Sequence, residues 1–174
     1  MSDPGSMQRS HWRWVRRFLY GLVGAGLLGL GAGCAGLLHG TPPSDLGVRD
    51  GRLKAPSDRP NSVTSQAALF PDHPRSREAA IEPLEMPPGT TAADAMSRLK
   101  SVVAAMPGAQ VVQAQGDYLH VVFESRLMRF QDDVEFWLAP ASGVIQVRSA
   151  SRLGYSDRGV NLSLIHISEP TRLR

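Results

Sequence analysis

The hydrophobic pattern divides the chain into an unbroken apolar run, an irregular polar stretch and a region of clear periodicity. Phe18–Leu38 carries no formal charge over 21 residues and follows Arg9, Arg13, Arg16 and Arg17. About 20 apolar residues suffice to span a bilayer, and basic residues before such a run stay on the cytoplasmic side. From His39 to Pro60 Gly, Pro, Ser, Asp and Arg dominate without a period, which reads as a spacer; residues 61–78 stay irregular. Ala80–Leu84, with Pro83 inside it, suits a short edge strand. Thr90–Met106 repeats Ala92, Ala95, Met96, Leu99, Val102, Val103 and Met106 at helical spacing. Thr91 and Asp94 form a capping pair at its start, and Pro107-Gly108 ends it.

Two hairpins follow. Gln110–Gln115 and Tyr118–Arg126 flank Gly116-Asp117, a type II′ turn signal that sets Val112 opposite Val121 and Ala114 opposite Leu119. Asp133–Ala139 and Val144–Leu153 flank Pro140–Gly143. Pairing Ala139 with Val144 sets Leu138 against Ile145, Phe136 against Val147, Val134 against Ser149 and Glu135 against Arg148. The other face, away from the helix, then carries Asp133, Glu135, Trp137, Gln146, Arg148 and Arg152. The expected fold is α+β: an antiparallel sheet of about four to five strands with one helix packed on one face. The expected division is residues 1–38 as signal or anchor, 39–78 as linker and irregular motif, 79–161 as the domain, and 162–174 as a separate tail.

Charge changes the picture little. The sequence pI is about 9.5, but Ser44–Asn161 holds 13 Lys and Arg against 14 Asp and Glu, so the basic excess lies at the ends. A nucleic-acid binder needs a basic face in its folded part, and none is visible. The single cysteine, Cys34, excludes an intramolecular disulfide and a Cys-cluster metal site. It closes the apolar run after Ala32-Gly33, as in the bacterial lipoprotein box, although Gly31 stands where that box prefers leucine. Three readings stay open, lipidation of Cys34 first, then an uncleaved anchor and a cleaved signal; the seven glycines in the run favour an export signal over a permanent span. Each places the domain on the extracytoplasmic side of a bacterial envelope, with the membrane as a partner through the N-terminal segment.

Asp132, Asp133 and Glu135, with His120, resemble a hard-metal set, but Arg148 and Arg152 on the adjacent strand explain them as cross-strand ion pairs. Neither a metal nor a cofactor is therefore expected. His120 reads as a strand residue facing Gln113. Ser65, Ser125, Ser149, Ser151 and Ser156 coexist with His120 and Asp157, so a small hydrolase is the alternative function, without a nucleophile-elbow motif to support it. Arg148, Arg152, Tyr155, Asp157 and Asn161 form a polar run past a strand end, and guanidinium groups grip carboxylates and phosphates. The leading expectation is a non-enzymatic envelope module that binds an envelope protein or a small anionic ligand there.

Three ordered motifs carry a family resemblance: Leu46-Gly47-Val48-Arg49-Asp50-Gly51-Arg52-Leu53 leading to Pro60–Gln66, then Asp132–Phe136, then Val147–Arg152 with Gly154–Asp157 and Gly159–Asn161. The chain resembles the bacterial and plastid domain of unknown function 1499 from about Asp45 to Asn161. The resemblance implies no activity, substrate or cofactor. It implies a cysteine pair in many members where Pro56 and Ser62 stand here, a joint loss that a disulfide would permit. Leu162–Arg172 resembles a translated sequencing-library adapter, so a truncated native C-terminus is expected, and His166 and Glu169 carry no functional weight.

Overall fold

The computed structural model describes residues 4–86 and 88–154. It opens with a helix, α1 (Pro4–Cys34). Within it Trp12–Cys34 spans 23 residues at a mean hydropathy of 1.3, long and apolar enough to cross a membrane.

The body is α+β. Its elements are β1 (Ser62–Thr64), a 3₁₀ turn (Ala67–Leu69), α2 (Ser76–Ala79), β2 (Leu84–Glu85), α3 (Ala92–Ala104), β3 (Ala109–Gln115), β4 (Tyr118–Glu124), β5 (Gln131–Ala139) and β6 (Val144–Ser151). These strands form one six-stranded sheet in the order β1-β6-β5-β4-β3, with β2 also on β6, all antiparallel. The outer edge of β6 is shared: β2 pairs its start at Val144 and Ile145, and β1 pairs Arg148–Ala150. Pro83 stands just before β2, where no ladder donor is required of it.

The β5–β6 register is the expected one, pair for pair. The β3–β4 register departs from expectation by one residue. Ala114 faces Leu119 and Gln113 faces His120, but Val111 faces Val121, because a bulge between Val111 and Gln113 takes Val112 out of the ladder. Val112 is accordingly 55 % exposed. A bulge leaves its extra residue unpaired and resets the alternation beyond it, and no local residue preference here announces one.

The α3 helix begins as expected, with Thr91 as N-cap accepting a hydrogen bond from the Asp94 N–H. Its buried residues Met96, Leu99 and Val103 pack on one sheet face with Leu119, Val121, Phe123, Val134, Phe136, Leu138, Ile145 and Val147. Burying this aliphatic face is the main driving force of the fold.

The opposite face departs most from the expected picture. Asp133 and Glu135 are essentially inaccessible and Arg148 is 4 % exposed, so this face is covered rather than solvated. The cover comes from the stretch read as spacer. Leu53 is buried, and the Gly47 N–H donates to Glu135 from across the sheet face. Arg49 and Arg52 close a small hairpin through Asp50 and Gly51, both at positive φ (51° and 71°). Two consecutive positive φ values are what a type I′ turn requires, and Asp-Gly is its usual sequence. The folded unit thus reaches well before residue 79, since β1 and this strap belong to it.

Candidate functional site

Strand alternation puts Tyr118 and His120 of β4, Asp133 and Glu135 of β5, and Arg148 of β6 on the covered face, with Arg152 just beyond β6. Register makes one row of His120, Glu135 and Arg148 across three strands. Within that row the chemistry splits into two clusters.

The first centres on Asp133. Arg152 donates to it in a bidentate way, Nε to Oδ2 at 2.7 Å and Nη2 to Oδ1 at 2.8 Å. His120 Nε2 lies 2.8 Å from Oδ1, and Arg152 Nη1 also donates to Gln131. Burial pushes the Asp133 carboxyl upward, but the hydrogen bonds from Arg152 and His120 outweigh it and hold the group below its usual 3.8. The hydrogen bond to Asp133 likewise raises Arg152 above its ordinary value. With three of its donors committed, Arg152 acts as a clamp on Asp133.

The second cluster centres on Glu135. Its Oε1 accepts from Tyr118 Oη at 2.8 Å and from the Gly47 N–H at 2.7 Å. Its Oε2 faces Arg148 Nη1 at 3.5 Å, the limit of a hydrogen bond. Arg148 Nε reaches the Ala55 carbonyl at 3.3 Å. Burial lowers Arg148 from its ordinary value, with the charges of Glu135, Asp133 and Asp45 opposing the shift; a guanidinium stays charged regardless. Burial and then the Glu135 charge raise the Tyr118 phenol, which keeps its proton and donates. Arg148 is therefore held by two long contacts, whereas Arg152 is held by short ones.

Beside Arg148 and Arg152 lies a cleft of about 330 Å³, walled by Thr41, Pro43, Lys54 and Pro56 of the preceding segment. Lys54 is half-exposed at its rim and pairs with Asp45 at 2.7 Å, which holds the Asp45 carboxyl below its usual range. Asn61 Nδ2 donates to the carbonyls of Ser151 and Gly154 at 3.2 and 3.1 Å and so ties β1 to the end of β6.

Residues 52–167 match the family described as Protein of unknown function (DUF1499). The chain belongs to this family. No curated protein and no solved structure matches it. Where many DUF1499 members are expected to carry a cysteine pair, Ser62 Oγ accepts from the N–H of Ser57, the residue after Pro56, at 2.8 Å, so a hydrogen bond ties that loop here.

Of the expected site residues in this DUF1499 domain, Asp133, Glu135, Arg148 and Arg152 come together on one face. Tyr155, Asp157 and Asn161 lie outside the described residues, as do Ser156 and the tail from Leu162. The hydrolase arrangement is not assembled among the described residues. His120 turns its Nε2 to Asp133. Ser65 bonds Gln146 and the Val147 backbone, and Ser125 accepts from Phe130 N–H. Ser149 and Ser151 alternate to the face opposite His120. Both oxygens of Asp133 and of Glu135 face protein N–H or O–H groups.

Sequence reasoning missed Tyr118, Gly47 and Lys54. Tyr118 follows from carrying the alternation from β5 into β4, a step that needs the β4–β5 register. Asp50-Gly51 was a signal for the strap's turn.

Proposed function

We propose that this protein is an envelope-anchored, non-enzymatic binding module whose cleft takes a small anionic group, carried either by a free ligand or by a partner protein. The observation that carries the reading is Arg148: a buried guanidinium lining an open cleft, with its internal partners at 3.3 and 3.5 Å. A loosely held guanidinium can exchange a long contact for a short, charge-assisted one to carboxylate or phosphate at little internal cost. Lys54, paired with Asp45 beside the cleft, has further N–H donors to offer an anion that enters it. Asp133 and Arg152 form the rigid wall that keeps the cleft in shape. The apolar helix α1, with Cys34 at its end, supports attachment to a membrane.

The test is calorimetric titration of the detergent-solubilised full chain with inorganic phosphate and with succinate. Binding of either probe should weaken by roughly tenfold in Arg148→Lys, which keeps the charge but loses the planar fork, and also in Lys54→Ala. Arg98→Ala, on the exposed side of α3, should leave it unchanged. Absence of heat with both probes, or equal affinity in all four proteins, overturns the reading.

A further inference from the structure

Loop Ser125–Phe130, between β4 and β5, is built as a rigid projection. Ser125 N–H donates to the Phe130 carbonyl at 2.9 Å and Arg129 N–H to the Ser125 carbonyl at 3.0 Å. Ser125 Oγ in turn accepts from the Phe130 N–H at 2.9 Å. Arg129 takes a positive φ of 55°, unusual for a residue with a side chain, to complete the turn. The fixed loop turns Leu127 outward at 66 % exposure and leaves Phe130 36 % exposed. Arg126 is exposed beside them.

The same loop meets the end of α1. Gly33 is buried against Met128, and a Cβ there would stand 3.0 Å from the Met128 Cα. Arg129 Nη1 donates to the Cys34 carbonyl at 3.2 Å. Just past the helix, Leu37 is 75 % exposed. Phe18–Cys34, the uncharged part of α1, is 17 residues, about 26 Å at a rise of about 1.5 Å per residue. That is the short end of what spans a hydrocarbon core of about 30 Å, so Cys34 comes out close to the headgroup layer when the preceding arginines reach the opposite one. A lipid on Cys34 would put the same residue at the same depth.

We infer that the Ser125–Phe130 loop seats the domain on the bilayer, with Leu127 and Phe130 entering the interface and Arg126 reaching the phosphates of anionic lipid headgroups. The inference rests on membrane attachment through the N-terminal segment and is independent of what the cleft binds. Apolar side chains flanked by long cationic ones suit this layer, because the stems bury while the charged ends stay among headgroups. Glu124, the acid next to the loop, is covered by Arg129 Nε at 2.9 Å and Gln131 Nε2 at 3.0 Å, which reduces its repulsion of anionic lipid. The seat holds the cleft at a fixed attitude to the membrane.

The experiment uses the full chain, with Cys34→Ser, in vesicles of phosphatidylethanolamine and phosphatidylglycerol. A nitroxide is attached at Leu127→Cys or, as control, at Ala141→Cys in the exposed turn at the far end of β5. Power saturation with oxygen and a nickel chelate reads depth. The label at 127 should be shielded from nickel, at headgroup depth, while the label at 141 reads as aqueous. Equal, aqueous values at both positions in a chain that floats with the vesicles overturn the seat alone. A chain that fails to float overturns attachment through the α1 helix itself, on which the seat rests, and the seat with it.

Discussion

Replacing Arg148 with methionine removes the cation of a pair whose members are 4 % and 0 % exposed at their side chains. Glu135 would keep Tyr118 and the Gly47 N–H as donors, both within 2.8 Å, but its charge would have no cation across the strand. Breaking a buried pair from one side costs roughly 3–5 kcal/mol, because the remaining charge stays desolvated. The 3.5 Å separation and the two surviving donors place Arg148→Met near the lower end, about 3 kcal/mol. Glu135→Gln should cost about 2 kcal/mol by the same reasoning, since the amide oxygen still accepts from Tyr118 and Gly47. In the double variant no charge is stranded, so its loss should fall about 2 kcal/mol short of the sum of the singles. A solvated pair, one of the readings open from sequence, gives a coupling of only about 0–1 kcal/mol. The assay is pulse proteolysis across a urea gradient, on the full chain in detergent, for all four proteins. Additivity within about 0.5 kcal/mol would refute the claim that the strap desolvates this pair.

Asp133 gives the fold an acid limit. Because its folded carboxyl lies below the usual 3.8, the unfolded chain takes up the proton first; this contribution is complete above about pH 4 and is lost as pH falls through the folded value. Asp133→Asn should be less stable near neutrality yet lose less on acidification from about pH 6 to about pH 3, measured by urea midpoint; an equal fall in both proteins would exclude Asp133 as the titrating group. Cys34, exposed at the end of α1, should take up labelled palmitate in growing cells, with the label lost in Cys34→Ser. Equal label in both, or none in either, leaves the uncleaved anchor or the cleaved signal in its place.

The second hairpin was fully legible because its turn and its alternation agree: Ala139 beside Val144 fixes every later pair through to Asp132 and Ser151. In the first hairpin the same logic held only to Gln113, since a bulge is set by how β3 sits over the core and not by the residues Val111 and Val112 themselves. The meaning of the polar face was the larger loss. Alternation assigns Asp133, Glu135 and Arg148 to a face but is silent on whether that face meets water. Burial there depends on a strap about 90 residues earlier in sequence, whose hydrogen bonds to the face come from its backbone: Gly47 N–H to Glu135, and the Ala55 carbonyl to Arg148. Such a segment carries no hydrophobic period, so it reads as linker although it is part of the fold.

The cover also changes what the charged face can do. On an open sheet, Arg148 and Arg152 would be equivalent surface cations, each worth little to stability. Under the strap they differ. Arg152 completes a short bidentate pair with Asp133 and shapes the wall. Arg148 is desolvated, loosely held and adjacent to the cleft. Desolvation strengthens any charge interaction that a ligand makes with it, because the local dielectric is lower than at the surface. A protein without a dense basic patch can therefore still hold an anion firmly at one position. The proposed anion would meet here a single buried guanidinium, in a cleft of about 330 Å³ that admits only a small group.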